Sequence, residues 1–265
     1  MPKISVIMGI YNVEKTLPEA LDSIFNQTCQ DFEVIVCDDA STDGSLEVAK
    51  KYQEKYGNKL IVLSNEQNMG LNYTLNHCLE HVSGMYVARM DGDDISVQTR
   101  FEKQAAFLDS HSEYGFVSSL MIHFDEEGEF KVSNMLEAPA VKDLARGKMF
   151  CHAPAMIRAV AYREVNGYTV DRRMLRVEDV NLWMKLYAAG YRGYNLQEPL
   201  YKMRDDRNAT SRRKFKYRIN SCYTRIVGFR NLRVPVYLYP YAFKPILVGL
   251  LPKPLYQMLH RRTNR

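Results

Sequence analysis

The chain has no Cys-x-x-Cys pair anywhere in its 265 residues. Its five cysteines (Cys29, Cys37, Cys78, Cys151 and Cys222) are odd in number and scattered. That argues against a disulfide framework and for reduced thiols in a cytosolic protein. No secretory leader is expected from the first residues: the apolar run from Ile4 to Ile10 is short, and polar residues follow it without a small-residue cleavage site. No G-x-G-x-x-G follows that run, which argues against a nicotinamide or flavin enzyme of the Rossmann type. The absence of G-x-x-x-x-G-K-[ST] excludes a P-loop NTPase. There is no internal repeat, no low-complexity segment, and none of the aromatic-rich sheet motifs of RNA readers. A membrane-spanning run is lacking too. The apolar stretch from Val234 to Leu251 is broken by Pro235, Pro240, Pro245 and Lys244, which disfavours a spanning helix.

What is present is an ordinary globular composition, 46% apolar and 25% charged, long enough for one large α/β domain or two small ones. The net charge of +5 is uneven. Ten Lys and Arg lie between Arg204 and Arg233, against Asp205 and Asp206 alone. Such a cluster can face nucleic acid, anionic lipid or a phosphorylated ligand.

The most unusual stretch is Met85 to Asp94, M-Y-V-A-R-M-D-G-D-D. An apolar strand stops in three carboxylates around one glycine, and three anions within four residues repel one another unless a cation sits among them. If strand geometry continues, Asp91 and Asp93 point to the same face, with Gly92 allowing a tight turn between them. Paired hard oxygen donors suit Mg²⁺ or Mn²⁺, and such a cation could carry a diphosphate. A solvated acidic turn is the alternative.

Around that stretch the pattern alternates. Strands are expected at residues 4–10, 32–37, 59–63 and from 85 onward. Helices are expected from Leu17 (with Pro18 in the first turn), over 46–56 and from about 70 to 81. Further on, the spacing predicts a helix over 97–111, a strand over 114–124 and a polar turn at 125–130. A linker near 138–141 leads to a helix at 142–148, a strand over 150–158 and a short helix at 162–168. A helix opening at Val177-Glu178-Asp179 is ended by Gly190, and residues 194–203 are extended. Strand–helix alternation implies a parallel sheet with helices on both faces, its ligands at the carboxyl ends of the strands. Those ends carry Tyr11-Asn12, Asp38-Asp39 and Asp91 to Asp94.

Six stretches now discussed occur in a familiar order: I-S-V-I-M-G-I-Y-N, L-D-S-I-F-N-Q-T, F-E-V-I-V-C-D-D-A-S-T-D-G-S, N-M-G-L-N-Y-T-L-N, A-R-M-D-G-D-D and V-E-D-V-N-L-W. Across about residues 3 to 205 the chain resembles a family 2 glycosyltransferase of the GT-A fold. The resemblance implies a Rossmann-like mixed sheet flanked by helices, with a helical basic C-terminal tail. It implies a nucleotide-sugar donor, usually UDP-linked, a divalent Mn²⁺ or Mg²⁺, and inversion at the anomeric carbon. The expected division is a GT-A domain over 1–215, with a nucleotide-binding half at 1–105 and an acceptor-binding half at 106–215. A basic, apolar extension follows over 216–265.

By the same resemblance, Tyr11 matches the ring that stacks on the nucleobase, or is a core tyrosine. Asp39 matches the acid that accepts the base N3–H. Asp38 has either a ribose role or caps the following turn. Gly70 is similar to the glycine under the base, and Arg89 to a pocket arginine that could instead pair with an acid. Asp93 is implied as the direct metal ligand, and Asp91 as a ligand through water or to the ribose. Asp94 is implied to point toward the acceptor or to orient a neighbour. Glu178 and Asp179 match the acidic pair opening a helix, with Asp179 as the general base and Glu178 on the acceptor side. Their alternative is a helix cap. Trp183 either stacks on the acceptor sugar or packs in the core, and His152 is either acceptor-side or structural. His77 and His81 read as a surface pair.

One departure from the pattern follows Tyr201. Relatives carry an arginine and then a histidine; here M-R-D-D-R-N-A-T-S-R-R keeps Arg204 but has no histidine. A third protein ligand to the metal is therefore in doubt, and Arg204, Arg207, Arg212 and Arg213 are candidates to clamp the diphosphate. The implied acceptor is a hydroxyl of a growing cell-surface polysaccharide or lipid-linked saccharide. Alternatives are a polyprenyl-phosphate sugar synthase and a non-catalytic nucleic-acid-binding protein, though the latter leaves Asp39, Asp91, Asp93 and Asp179 without purpose. A nucleotidyltransferase would need a glycine-rich basic loop that Tyr11-Asn12 does not offer. Tyrosines beside basic residues in the tail suit an interface on anionic lipid, which places the protein at the inner, cytoplasmic face of a membrane; packing on the domain is the alternative.

Overall fold

The computed structural model describes residues 1–205 and 214–251. Among the described residues nine strands, numbered in chain order, form one sheet in the order β3-β2-β1-β4-β8-β6-β9-β5, with β7 (Gly128–Val132) paired to β6. The first half is parallel: β1 (Ile4–Ile10) lies between β2 (Phe32–Asp38) and β4 (Tyr86–Asp91), and β3 (Leu60–Ser64) is on the outside of β2. The helices α1 (Leu17–Phe25), α2 (Ser45–Tyr56) and α3 (Leu71–Leu79) make the crossovers. Beyond β4 the sheet is mixed. Strand β8 (Met156–Arg158) runs antiparallel to β4 and to β6 (Phe116–Asp125). Strand β9 (Gly193–Arg204) runs parallel to β6 and antiparallel to the two-residue β5 (Ile95–Ser96). The all-parallel expectation from strand–helix alternation therefore holds only up to β4.

Strand β1 shows why the sheet is covered on both faces. Ile4, Val6, Met8 and Ile10 join one apolar cluster with Leu17, Leu21 and Ile24 of α1. Ile7 enters the opposite cluster with Leu75 and Cys78 of α3. This is the two-residue period of a strand buried on both sides. Each fully buried aliphatic side chain contributes about 1.5–3 kcal/mol. Gly9 lets α3 approach: a Cβ there would lie 3.1 Å from Thr74 Cγ2.

The helices α4 (Arg100–Ser110), α5 (Val141–Ala145), α6 (Ala159–Glu164) and α7 (Glu178–Ala188) fall near their expected places. The strand expected over 150–158 is shorter. Pro154 has no N–H to give to a ladder, and Ala155 N–H turns back to the His152 carbonyl at 3.1 Å, so only 156–158 pair.

Helix α8 (Phe215–Asn231) packs on α7, and α9 (Pro240–Leu250) packs back on α8. Gly228 is the crossing point with α7, where any side chain would collide with the Met184 sulfur. Phe229, Val234, Leu238 and Ala242 are buried in the same cluster as Trp183. The expected boundary at 215/216 falls at the start of α8, and Phe229, Val234, Leu238 and Ala242 beyond it share a core with Trp183 of α7.

Candidate active site

The sheet register assembles the site. Ile10 pairs with Asp38 and Gly9 with Asp91, so three strand ends finish side by side. The Asp39 N–H is held by the Ile10 carbonyl at 2.8 Å. Asp39 is buried, and its carboxylate organises the loop before α3. One oxygen accepts Asn65 Nδ2 and the Met69 N–H, both at 2.8 Å, and the other accepts the Gly70 N–H at 2.8 Å. Gly70 has φ +86°, a conformation that side chains rarely adopt. Asp38 behaves as the turn cap: one oxygen accepts the Ser41 N–H at 3.0 Å, while the other is buried without a partner.

A cleft of about 370 Å³ opens over these strand ends. Tyr11, Asp39 and Gly70 line one side; Arg176, Glu178 and Tyr217 line the other. Tyr11 is 47% exposed, so its ring is available to a flat ligand rather than packed in the core.

Carboxylate oxygens of Asp91, Asp93 and Asp94 all lie within 4.8 Å of one another. This grouping does not come from a continued strand. Strand β4 ends at Asp91 and Gly92-Asp93 form a turn. The φ of Gly92 is not positive, so glycine is needed there for space: a Cβ would meet Ile10 Cγ2 at 2.9 Å. Lost hydration in the crowded turn, and then the charge of Asp91, raises the Asp93 carboxyl, although the residue as a whole stays exposed. Burial, and then Asp91 and Asp93, pushes Asp94 up to about 8. Crowded oxygen donors, with Asp93 and Asp94 held above their ordinary range, fit a hard divalent cation. Asp93 is exposed and Asp91 half-buried, so these two would hold it. Asp94 faces inward, and its Oδ1 accepts the Arg204 N–H at 2.7 Å. That contact ties the turn after β4 to the end of β9.

Buried Arg89 pairs with Asp91, and its Nε has no partner. The acid-pairing alternative is the one observed. Its charge also reaches Glu178, Tyr168 and His152. His152 is structural: burial, and then Arg89, holds it well below the usual imidazole range, and Nε2 meets the Tyr168 hydroxyl at 2.9 Å. Arg204 stands beside the acids, with Nε donating to the Asp93 carbonyl at 3.1 Å and Nη2 to Glu19 at 2.6 Å. Arg207, Arg212 and Arg213 lie outside the described residues.

Glu178 and Asp179 open α7. Glu178 turns into the cleft, and burial, followed by the Asp179 charge, raises its carboxyl. The Asp179 charge acts on Arg225 of α8 and on Cys151. The acceptor-side expectation for Trp183 is corrected to its alternative, a place in the core. Trp183 is fully buried and stacked on Phe116 with centroids 4.8 Å apart. Arg176 and Tyr217 were not foreseen. Arg176 carries φ +64°, which only the folded chain reveals, and Tyr217 reaches the cleft through the packing of α8 on α7.

A Rossmann-like mixed sheet whose strand ends join a base-sized cleft, a triple carboxylate and a helix-borne acid pair defines a GT-A glycosyltransferase. The chain belongs to glycosyl transferase family 2, whose model matches residues 5–166. It is 44% identical to the putative glycosyltransferase EpsE of Bacillus subtilis, over 98% of this chain and 94% of that protein. It is 24% identical to the UDP-Glc:alpha-D-GlcNAc-diphosphoundecaprenol beta-1,3-glucosyltransferase WfaP of Escherichia coli, over 93% and 95% of the two chains. Among solved structures, S. aureus TarS 1-349 in complex with UDP superposes with a TM-score of 0.71 at 24% identity, covering 91% of this chain and 69% of that one.

Proposed function

We propose that this glycosyltransferase inverts the anomeric carbon as it moves a sugar from a UDP-linked donor to a hydroxyl of a growing cell-surface polysaccharide or lipid-linked saccharide. The carrying observation is that one cleft is lined by Tyr11, Asp39 and Gly70 together with Glu178. Tyr11 offers its ring to the base. The Asp39 oxygen that receives the Gly70 amide has a second lone pair for an imide N–H. WfaP, which takes a UDP-linked glucose to a diphosphoundecaprenol-linked GlcNAc, supports a lipid-linked saccharide acceptor, and with TarS bound to UDP it supports the donor class.

Asp91 and Asp93 would hold Mn²⁺ or Mg²⁺, which supplies positive charge where the departing diphosphate gains negative charge. Arg89 orients Asp91, and Asp94 fixes the end of β9 beside it. Asp179, at the N-terminus of α7, takes the acceptor hydroxyl's proton as the new C–O bond forms. Arg204 and Arg212 are the arginines assigned to the diphosphate. A polyprenyl-phosphate acceptor is a variant of the same chemistry. Attachment to the cytoplasmic leaflet belongs to this reading.

Thermal-shift screening against nucleoside diphosphates and nucleotide sugars tests it. UDP or a UDP-sugar raising the melting temperature only with Mn²⁺ present is the expected result. Stabilisation by GDP and not UDP would reject the donor assignment.

A further inference from the structure

From Arg207 to Arg265 the chain carries fourteen Lys and Arg and no Asp or Glu. That leaves 22 Lys and Arg against all 31 Asp and Glu, net −9, in residues 1–206. The molecule is therefore an acidic catalytic body joined to a basic C-terminal quarter. An anionic surface would repel the first and attract the second, which fixes an orientation as well as a contact.

The basic quarter also presents apolar side chains to solvent. Helix α9 turns Ala242 inward, yet Phe243, Leu247 and Leu250, at i, i+4 and i+7 on the other face, are all exposed, Leu250 by 67%. The turn before it exposes Val236 by 82% and Tyr237 by 73%. A surface helix ordinarily keeps its outer face polar. Here the outer face is apolar, and Lys244 is the only charge on the helix. The helix has 11 residues. At about 1.5 Å per residue it is too short to cross a hydrocarbon layer of about 30 Å. No helix among the described residues is long and apolar enough to cross a membrane. Apolar side chains and tyrosines on a short helix, with Lys244 on it and Arg218 against it in a segment free of acids, match a helix lying in a lipid interface.

Helix α9 is tied to α8, the helix that brings Tyr217 to the cleft. Gly249 of α9 lies against Phe215 and Arg218 of α8, and Arg218 donates to the Pro245 carbonyl at 3.2 Å. Phe215 is itself exposed, and two residues on, Tyr217 lines the cleft.

We infer that α9 and the turn before it form the docking surface for an anionic phospholipid bilayer, seating the acid pair of α7 beside the headgroups. An acceptor saccharide on a lipid carrier would then arrive along the membrane plane at Tyr217. This deepens the proposed acceptor side and rests on that reading for what the membrane presents. Nucleic acid would satisfy the arginines but would leave the apolar face unused.

The test is flotation of the full chain with phosphatidylcholine vesicles, with and without phosphatidylglycerol, alongside calorimetry of UDP in Mn²⁺. Wild type should float with the anionic vesicles at low salt, and the bound fraction should fall about tenfold on neutral vesicles or in high salt. The variant F243S/L247S/L250S should lose about tenfold in partition while keeping its melting temperature and UDP affinity. A wild-type chain that stays in the soluble fraction, or a triple variant that floats undiminished, overturns the docking surface. So does a concentration-dependent dimer abolished by the triple variant, which assigns the face to a second copy. Absent UDP binding in wild type would instead strike the donor reading, whatever the vesicles show.

Discussion

The Asp39 carboxylate accepts the Gly70 backbone N–H at 2.8 Å, and through it the end of β2 holds the start of α3. The same group takes the Met69 N–H and the Asn65 side chain, so one side chain shapes the whole approach to the base pocket. Asp39→Asn turns one acceptor into a donor facing other donors. UDP affinity should fall by more than about tenfold, since losing one charge-assisted hydrogen bond costs about 1.5–3 kcal/mol. Gly70→Ala has open space around it but a forbidden φ, and should lower stability by about 1–3 kcal/mol. Calorimetry and thermal melts read the two effects.

Asp94 gives a pH dependence. Its carboxyl is raised to about 8 by burial and by Asp91 and Asp93, whereas an unfolded aspartate titrates near about 3.9. Between those values the folded chain binds a proton that the unfolded chain does not, so stability falls as pH rises through the window. In EDTA the wild-type melting temperature should drop from about pH 5 to about pH 8 relative to Asp94→Asn. Mn²⁺ should remove much of that difference. Parallel curves for the two proteins would contradict the assignment.

The acid pair separates by kinetics. Asp179→Asn should leave UDP affinity unchanged and lower kcat by about 10²–10⁴-fold. Glu178→Gln, altering the residue that faces the cleft, should raise KM more than it lowers kcat. The reverse pattern would transfer the base role to Glu178.

Arg176 is a cleft residue held in a left-handed conformation, with its charge on Glu178. Arg176→Ala should weaken nucleotide-sugar binding at unchanged kcat. Arg176→Gly should relieve the backbone strain, giving a protein at least as stable as the alanine variant. Equal donor KM in wild type and Arg176→Ala would remove Arg176 from the site.

The nucleotide half was legible because its chemistry is local. Ile4–Ile10 and Phe32–Asp38 announce buried strands, and their acids sit at the carboxyl ends where a parallel sheet places them. The acceptor half was less so. β8 is three residues long, and β5 is two residues recruited by β9, pairings that no local pattern encodes. Trp183 could not be placed from its neighbours in sequence, because Phe116 and Phe150, which bury it, come from other elements. Tyr217 entered the site for the same reason. For Arg89 the sequence leaves open whether it meets ligand or acid, and the fold pairs it with Asp91 of its own strand.

The contact of Gly228 with Met184 bears on how this enzyme can be shortened. A fragment stopping ahead of α8 would retain every acid discussed above. It would also leave Met184 and its greasy neighbours on α7 wet, and it should clump on purification rather than serve as a minimal catalyst.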